Sequence, residues 1–591
     1  MNLAAIYHRA TDNMCYCLNE NDIVISIKTD YDVEKITLFH GDPFSEGIMG
    51  GDHEFKGTGL VMTSKLLLKN HILWTAKVSP EYKRLTYYFL IENKDESYYL
   101  LEDGFYTPEE YKNYKERRQT FYFPWMNPSD IVTPPAWVKN TVWYQIFIDR
   151  FCNGDTSYNP SDVKPWAGPS EKVSYKDFYG GDIPGITSKL DYLKDLGVTG
   201  IYLTPVCKGT SNHKYDTTEY TEIDPHFGND DDMKKLVKES HSRGIRVMMD
   251  GVFNHSGPFF KPWYDVVKKG PESKYYDWFM INSWPFEIPE LKEGVDFSKN
   301  TRSRKYYAFA FADPMPKLNT NNPKVIEYVL NVVKKWITEY DIDALRLDVA
   351  NEISHTLAKA ICKMTKNINP DFFILGEIWH DSITWLRGDE YDSVMNYPFG
   401  DSINTFWSNK NTTALDFEHS INRCYSMYAA QTNEVLFNLL DSHDTIRLIT
   451  KLGDENAFYQ QMAVLFTMPG SVCIYYGTEI LLEGSYDPDC RRCMPWENIQ
   501  KGIYDERINK MKQLISMRKQ NSALTGSEYS FIHENYSRII HYTRDNIHVI
   551  INCSTESFSI RNNDSSGCWD IIFSNLFEHN HILPGGVIIC K

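Results

Sequence analysis

The sequence predicts an α/β protein built on a (β/α)8 TIM barrel, with an inserted subdomain after strand 3 and a β-domain at each end. Three observations predict this fold. Eight short apolar runs alternate with helical patterns in the middle of the chain, as in barrels of parallel strands. A long segment interrupts this alternation after the third run. Short runs of alternating apolar and polar residues, typical of strands, occupy both ends of the chain.

The N-terminal region is predicted to be a β-sandwich over residues 1–126. Apolar and polar residues alternate there in short runs such as Ile23–Ile27 and Leu85–Ile91, which is the pattern of strands with one buried face. The proline-rich stretch Asn127–Pro135 then has the composition of an extended linker. A new domain therefore begins there.

The barrel is predicted over residues 127–522. The helical pattern before the fourth strand has one apolar stripe with helical spacing, as expected for a helix covering the outside of a barrel; the stripe is Val325, Val329, Val332, Val333, Trp336 and Ile337. A doubly wound parallel sheet is the alternative architecture. The eight predicted strands are Val142–Phe147, Gly200–Thr204, Ile245–Met249, Ala344–Val349, Phe372–Ile378, Ser393–Tyr397, Leu436–Leu440 and Val472–Tyr476.

The predicted insertion covers about residues 253–321, far more than the usual two to six residues of a βα loop. It is expected to overhang the face of the barrel where the strands end. Helical patterns disappear after about residue 522. Short strands such as Arg538–Tyr542 and His548–Ile551 then predict a C-terminal β-sandwich over residues 523–591.

Composition narrows the class of partner. The chain has 591 residues, with 79 acidic and 62 basic side chains and a net charge of −17, which disfavours nucleic acids and anionic membrane surfaces. Residues 1–21 contain no apolar stretch of secretory length, and nothing later approaches a membrane span. The 12 cysteines are scattered, which indicates reduced thiols and a cytoplasmic protein. The pair Cys490 and Cys493 is interpreted as a coincidental CxxC.

The ends of the predicted strands carry acids, histidines and amides, and catalytic groups of such barrels lie at these ends. Asp348, Glu377 and Asp444 follow three different strands and should converge on one cavity. Arg346 precedes Asp348 by two residues, so both side chains share a face and the cation is expected to keep Asp348 ionised. Glu377, crowded by other acids, is expected to hold a proton. One ionised nucleophile and one protonated acid are what retaining glycoside cleavage requires.

Other interpretations of these residues predict different features. Polar strand ends can be structural, satisfied by loop backbone. A metal-dependent amidohydrolase needs paired histidines on the first strand, and Val142–Phe147 has none. A Schiff-base aldolase needs a lysine at the end of an inner strand, whereas Lys208 lies beyond Pro205 in a loop. A non-catalytic glucan-binding or regulatory protein on the same fold would be expected to lose at least one of the three acids.

At these residues the sequence resembles the α-amylase family, glycoside hydrolase family 13, and within it the neopullulanase, cyclomaltodextrinase and maltogenic amylase group. The likeness covers most of the chain. Two segments, Met315–Asn319 and Val349–Glu352, indicate the group rather than amylases generally. The other matching segments are Tyr144–Phe147, Asp149–Phe151, Tyr179–Asp182, His213–Thr217, Asp250–His255, Arg346–Asp348, Gly376–His380 and Leu440–Thr445.

The resemblance implies a retaining hydrolase of α-1,4-glucosidic bonds in cyclomaltodextrins, pullulan and short maltodextrins, with transglycosylation when a sugar outcompetes water. Asp348 would attack the anomeric carbon, Glu377 would act as acid and base, and Asp444 would stabilise the transition state. The residues implied to bind sugar are Tyr215, His255, Arg346, His443, Glu352, Trp379, Asp487 and Arg491. The N-terminal domain would be a starch-binding-type module that packs on a second subunit, so a homodimer is expected.

Calcium is the expected metal, because Ca²⁺ prefers carboxylate, amide and backbone oxygens gathered from turns. The run 153–159 and the Gly180–Asp182 turn offer such oxygens. One residue departs from the family pattern, since Tyr158 stands where an asparagine is usual. A second departure is Ala344-Leu345, where the group has glycine and an aromatic residue. The predicted ligands are Asn153, Asp155, Asn159, Gly180 and Asp182.

Overall fold

A computed structural model of the chain describes residues 1–45, 55, 57–114, 118–286, 302, 304–312, 314–560 and 569–591. These residues form two compact units. The first comprises Met1–Thr133, Leu386–Gly388 and Lys410–Asn433, and the second comprises Pro134–Trp385, Asp389–Asn409 and Glu434–Lys591. None of the helices in the described part of the chain combines the length and the apolar character needed to cross a bilayer.

The first unit contains two antiparallel sheets, ordered β1-β2-β6-β5 and β4-β3-β7-β8-β9, with β10 paired to β7. Their inward residues form one apolar core that includes Ile25, Trp74 and Phe89. The predicted N-terminal β-sandwich is thereby confirmed. The strands are β1 (Cys15–Cys17), β2 (Ile23–Thr29), β3 (Lys35–Gly41), β4 (Thr58–Val61), β5 (Ser64–Leu68), β6 (His71–Val78), β7 (Leu85–Glu92), β8 (Ser97–Leu101), β9 (Gly104–Tyr106) and β10 (Phe121–Phe123).

Among its described residues, the first unit also has three α-helices: Pro108–Asn113, Ala414–Ser426 and Ala430–Asn433. Helix Ala414–Ser426 begins with a capping box, in which the Thr413 side chain accepts from the Asp416 amide and the Asp416 side chain accepts from the Thr413 amide. Its Asn422 amide nitrogen donates to the Leu67 carbonyl oxygen at 2.9 Å. This helix is therefore anchored to strand β5.

The second unit contains an eight-stranded parallel sheet in the order β18-β17-β16-β15-β12-β11-β20-β19. A parallel bridge between Met395 and Phe437 joins its two ends, so the sheet closes into the predicted barrel. The strands of the second unit before the C-terminal domain are β11 (Val142–Ile146), β12 (Gly200–Leu203), β13 (Cys207–Gly209), β14 (Thr217–Ile223), β15 (Arg246–Gly251), β16 (Ala344–Leu347), β17 (Phe373–Gly376), β18 (Ser393–Val394), β19 (Phe437–Asn438) and β20 (Ser471–Tyr475).

The barrel interior is filled by large side chains, among them Trp143, Tyr202, Met248 and Phe437, because a closed eight-stranded barrel leaves room only for packed side chains. Every residue of β11 and of β16 is buried. This burial explains why these strands have continuous apolar runs.

Helices follow the barrel strands, as the sequence pattern predicts. Helix Pro323–Tyr340 starts at the N-cap Asn322, with proline at its first position, and ends at Asp341, whose φ is 62°. Its predicted apolar stripe is buried. The remaining α-helices of the second unit are Ile148–Phe151, Ile183–Ser188, Leu190–Leu196, Asp230–Ser242, Lys261–Lys269, His355–Ile368, Tyr397–Ser408, Leu448–Leu452, Glu455–Thr467, Trp496–Gln500 and Asp505–Gln520.

The predicted insertion between β15 and helix Pro323–Tyr340 has structure of its own. It contains helix Lys261–Lys269 and an aromatic cluster in which Trp263 contacts Phe279, Phe286 and Tyr306. Within the predicted range 253–321, residues 287–301, 303 and 313 lie outside the described residues.

The C-terminal domain is a sheet in the order β21-β22-β23-β26-β24, with β25 also paired to β26. Its strands confirm the β-domain expected there, and residues 561–568 lie outside the described part. Isoleucines such as Ile550 and Ile588 form its small core. The strands are β21 (Ser530–Phe531), β22 (Ile539–Arg544), β23 (Ile547–Asn552), β24 (Phe558–Ser559), β25 (Ile571–Glu578) and β26 (His581–Cys590).

Candidate active site

One buried arginine joins three carboxyl groups at the ends of neighbouring barrel strands. Arg346, on β16, is 1% exposed. Its Nη1 lies 2.9 Å from Asp348 Oδ1 and 2.8 Å from Asp250 Oδ1, and its Nη2 lies 2.8 Å from Glu377 Oε2. Because a single guanidinium contacts both Asp348 and Glu377, the two acids lie close together. Two neighbouring carboxyl groups in one site are the pair that glycoside hydrolysis requires.

Burial and the arginine act in opposite directions on these acids. Burial raises the pKa of Asp348 well above its ordinary value, and Arg346 lowers it. The same two effects act on the pKa of Asp250, which is also raised. The expectation that Arg346 keeps Asp348 ionised took account of the cation only; burial of Asp348 and the sharing of the cation with Asp250 and Glu377 act against it.

Glu377 is held at both of its carboxylate oxygens. The Val349 amide donates to Oε2 at 2.9 Å, and the Trp379 indole nitrogen donates to Oε1 at 3.2 Å. Val349 adopts φ 45° and ψ 47°, a left-handed conformation that is rare for a β-branched residue. This turn, directly after Asp348, directs an amide hydrogen at Glu377.

A buried histidine, His443, is connected to Asp250 through Tyr215. The Gln145 amide nitrogen is 2.7 Å from His443 Nδ1, and the Tyr215 hydroxyl is 2.6 Å from His443 Nε2. If Gln145 donates to Nδ1, Nε2 carries the hydrogen and donates a hydrogen bond to the Tyr215 oxygen. Tyr215 in turn donates to Asp250 at 3.0 Å. Burial, followed by nearby arginines, lowers the pKa of His443 well below its ordinary value, so this ring is uncharged.

Asp444 lies between His443 and a second arginine. Its Oδ2 is 3.3 Å from His443 Nε2, and its Oδ1 is 3.5 Å from Arg491 Nη2. Arg491 also contacts Asp487 at 2.8 Å and donates from Nε to the His443 carbonyl oxygen at 2.9 Å. Burial raises the pKa of Asp444, and Arg491 lowers it. The loop after β20 thus helps to position Asp444.

Aromatic rings border the cavity. Tyr215 and His443 are stacked with centroids 5.5 Å apart and planes 5° apart. Trp379, 46% exposed, stacks on Tyr397 at 3.5 Å. An exposed indole face held rigidly from behind suits the apolar face of a sugar ring.

The remaining predicted sugar-binding residues lie on the insertion side. His255 is buried, its Nε2 is 3.2 Å from the Tyr215 carbonyl oxygen, and burial lowers its pKa to about 3. Its ring stacks near Phe309 at 5.1 Å. Glu352, in the turn Ala350–Glu352 after β16, is exposed and pairs with Lys317 at 2.9 Å. All these groups lie at the ends or in the following loops of barrel strands.

The predicted metal ligands form a separate group near helix Ile183–Ser188. Asn153 donates from Nδ2 to Asn159 Oδ1 at 2.9 Å. A Cβ on Gly180, whose φ is 78°, would lie 2.3 Å from Asn159 Oδ1, so this turn is closed tightly on both amides. The buried Asn153 Oδ1 has no hydrogen-bond partner among the described residues. An amide oxygen left without a partner in such a cluster fits a hard cation.

The other two predicted ligands are partly engaged. Asp182 caps its helix and accepts from the amides of Gly154, Asp155 and Gly185 at 3.0, 2.8 and 2.6 Å. Asp155 accepts from the Ser157 amide at 2.9 Å. Within the described part of the chain, no group of three or more His, Cys, Asp or Glu residues could hold a metal ion. The oxygen-rich set with two carboxylates fits calcium and not zinc.

Tyr158 does not contribute to this cluster through its hydroxyl. That group donates to Asp232 at 2.8 Å and accepts from the Asn229 side chain at 2.8 Å. Tyr158, the residue that departs from the family pattern, therefore connects the loop at 153–159 to the capping box of helix Asp230–Ser242.

Several residues of the site were not predicted. Asp250 ends a strand, as the predicted acids do, and could have been found by that signal. Gln145 and Tyr202 lie within apolar runs, where sequence gives no signal for them. Tyr202 donates to Asp250 at 2.7 Å. The Val349 amide is a backbone group whose role depends on conformation alone.

The chain is similar to known proteins over most of its length. The description "Alpha amylase, catalytic domain" matches residues 145–549, and "Alpha amylase, N-terminal ig-like domain" matches residues 1–127. The chain is 41% identical to a cyclomaltodextrinase of Geobacillus thermopakistaniensis, over 95% of this chain and 92% of that protein. It is 41% identical to an intracellular maltogenic amylase of Bacillus subtilis, over 89% and 85%. A solved structure of a cyclomaltodextrinase matches with 36% identity, TM-score 0.87 and full coverage of both chains.

Proposed function

Because this chain belongs to the alpha-amylase family, we propose that it hydrolyses α-1,4-glucosidic bonds in cyclomaltodextrins, pullulan and short maltodextrins with retention of configuration. It is a glycoside hydrolase. The observation that carries the proposal is the contact of one guanidinium, that of Arg346, with both Asp348 and Glu377. This arrangement puts a nucleophile and an acid within reach of one glycosidic bond.

The reaction follows from the positions of these two acids. Asp348 attacks the anomeric carbon as a carboxylate while Glu377 gives its proton to the departing glycosidic oxygen. The C–O bond of the substrate breaks, and an ester bond to Asp348 forms. Glu377 then removes a proton from water, whose oxygen attacks the same carbon and releases Asp348. Two inversions give net retention.

The surrounding groups orient the sugar before the scissile bond. Asp444 accepts hydrogen bonds from sugar hydroxyls, and the uncharged His443 donates to them. Tyr215 supplies an apolar face for the same ring. His255 and Arg346 complete this subsite, while Asp487 and Arg491, through their mutual ion pair, line the next one along the glucan.

A sugar can replace water in the second step. The exposed Trp379 and Glu352 lie where the leaving group departs, so a glucose or maltose held there would attack the covalent intermediate instead of water. Trp379 offers a stacking face and Glu352 accepts from hydroxyls. We therefore expect transglycosylation at high acceptor concentration.

The cluster around Asn153 supports a calcium site as part of the proposal. Asn153, Asp155, Asn159, Asp182 and the Gly180 carbonyl would hold the ion, which would tie the loop at 153–159 to the turn before helix Ile183–Ser188. The measurement is thermal unfolding with added calcium and after chelation. Stabilisation by calcium and not by magnesium supports the site, and identical melting curves contradict it.

Two further parts of the proposal concern assembly and location. The relative named an intracellular maltogenic amylase supports a cytoplasmic enzyme, and the family resemblance supports a homodimer. Cell fractionation tests the first. Light scattering tests the second, with twice the mass of one chain as the expected result.

The main test is product analysis with β-cyclomaltodextrin, pullulan and soluble starch at matched concentration. Fast opening of cyclomaltodextrin with slow cleavage of starch supports the proposal. Absence of any cleavage would support the alternative of a non-catalytic glucan-binding protein, which the presence of all three acids disfavours. The variant Asp348→Asn should abolish turnover and retain oligosaccharide binding, and retained turnover would contradict the role of Asp348.

A further inference from the structure

Lys317 lies in the insertion, close to the end of strand β15, and its ammonium group contacts residues from two different strand ends. Its Nζ lies 2.9 Å from Glu352 Oε2 and 3.3 Å from the Glu352 carbonyl oxygen. It also donates to the side-chain oxygen of Asn254. The Lys317 side chain is only 21% exposed. One partly buried cation therefore joins the loop after β15 to the turn after β16.

The backbone of this lysine is fixed at the same place. Lys317 and His255 form an antiparallel β-bridge, and the Leu318 amide donates to the Asn254 carbonyl oxygen at 3.0 Å. The Lys317 side chain is therefore held both at its backbone and at its ammonium group. It differs in this from a surface lysine, whose ion pairs contribute little to stability.

The contacts continue from Lys317 toward the sugar before the scissile bond. The amide nitrogen of the fully buried Asn254 lies 3.3 Å from His255 Nδ1. His255 Nε2 lies 3.2 Å from the Tyr215 carbonyl oxygen. Lys317 is thus the link between Glu352, on the leaving-group side, and the residues that hold the other sugar.

We propose that Lys317 is a positioning residue that fixes the Glu352 carboxylate for the incoming sugar acceptor. The inference rests on the proposed function, because it assigns to Glu352 the acceptor side of the same reaction. Lys317 itself does not touch the reacting atoms. It acts by holding Glu352, whose carboxylate is 42% exposed, in one orientation instead of leaving it among its solvent-exposed rotamers.

The experiment compares Lys317→Met with Lys335→Met. Lys335 is a matched control because its side chain is also 21% exposed. It too donates to a carboxylate and a carbonyl oxygen, those of Asp230 at 2.9 Å and Thr221 at 2.6 Å, and it lies on helix Pro323–Tyr340, outside the site. Transfer and hydrolysis are measured together, with β-cyclomaltodextrin as donor and glucose as acceptor.

The expected result separates acceptor binding from chemistry. Lys317→Met should raise the glucose concentration for half-maximal transfer about tenfold, the size typical for losing a hydrogen bond to a charged group, while hydrolysis without acceptor changes much less. Lys335→Met should leave both quantities at the wild-type level. Equal transfer by wild type and Lys317→Met would overturn the inference.

A double-mutant cycle tests whether Lys317 acts through Glu352. Glu352→Ala alone should weaken transfer, and adding Lys317→Met to it should weaken transfer no further. Additive losses would contradict the positioning role. If Lys317→Met melts well below Lys335→Met, Lys317→Arg takes its place: this variant keeps the charge, so transfer should lie between wild type and Glu352→Ala, and transfer as weak as in Glu352→Ala would overturn the inference.

The wild-type assay distinguishes the inference from the proposed function. If wild type cleaves none of the glucans, the proposed function fails before any variant is compared. If wild type cleaves cyclomaltodextrin and transfers to glucose but Lys317→Met does so equally well, only the role of Lys317 fails.

Discussion

Replacing Arg346 by methionine should strongly destabilise the folded protein as well as abolish activity. Methionine fills a similar volume and removes only the cation and its hydrogen bonds. In the wild-type protein that cation contacts Asp250, Asp348 and Glu377 at 2.8 to 2.9 Å, and it is 1% exposed. The variant leaves three carboxyl groups at one site without their shared partner.

The expected loss of stability follows from the burial of these contacts. Removing one partner of a buried ion pair costs about 3 to 5 kcal/mol, because the remaining charge is left in a poorly solvated site. Some of this cost is avoided if the carboxyls take up protons. We therefore expect a decrease of about 4 kcal/mol in the free energy of unfolding near neutral pH.

The loss should depend on pH with a definite sign. Burial already raises the pKa values of Asp250 and Asp348, and Arg346 lowers them, so the variant raises both values further above those of the unfolded chain. A carboxyl with a raised pKa in the folded state contributes stability that is lost as pH rises through that value. The destabilisation by Arg346→Met should therefore be large at pH 8 and smaller at pH 5.

Urea unfolding at the two pH values measures this difference. Arg243→Met is the control, because Arg243 also contacts two carboxylates, Asp191 and Glu239, at 2.7 Å but at the surface. Exposed pairs contribute little, so this variant should unfold nearly as wild type does at both values. A loss for Arg346→Met no larger than for the control, or one independent of pH, would refute the electrostatic reasoning.

Two other variants test the sugar subsite and the calcium cluster. Tyr215→Phe keeps the stacking ring but removes the hydroxyl that contacts Asp250 and His443; kcat/KM for maltotriose should fall about tenfold with little change in melting temperature, and an unchanged kcat/KM would contradict this role. Gly180→Ala places a Cβ 2.3 Å from Asn159 Oδ1 at a φ of 78°, so it should lower the melting temperature and remove the stabilisation by calcium, and a variant still stabilised by calcium would contradict the ligand set.

The sequence predicted the barrel because its strands are buried on both faces and its helices on one. Val325 and Trp336 belong to the apolar stripe of one outer helix, and both are buried. Strand β19 shows the limit of this approach. The apolar run Leu436–Leu440 contains only two residues in strand conformation, Phe437–Asn438, which pair with β20 and meet the β18 side of the barrel through one bridge, between Met395 and Phe437.

The three predicted acids could be found because Asp348 and Glu377 directly follow β16 and β17 and Asp444 lies in the loop after β19, positions that sequence periodicity indicates. Their electrostatics could not be found in this way. Periodicity placed Arg346 beside Asp348, two residues along one strand, but it gave no information on neighbours across the sheet. Asp250 lies beside Arg346 because β15 and β16 pair in that register, and Glu377 lies on its other side through β17.

The geometry of Arg346 connects stability to catalysis through one charge. A guanidinium presents separate nitrogens in a fixed plane, and here Nη1 serves Asp348 and Asp250 while Nη2 serves Glu377. A nucleophile must stay ionised while the neighbouring acid must hold a proton, and one cation contacting both cannot by itself favour opposite protonation states. Any difference between Asp348 and Glu377 must therefore come from their contacts with groups other than Arg346, and these contacts differ. Glu377 accepts from the Val349 amide and the Trp379 indole, and the Trp379 side chain is partly exposed. The backbone turn at Val349 and the Trp379 side chain therefore give Glu377 contacts that the shared guanidinium does not provide.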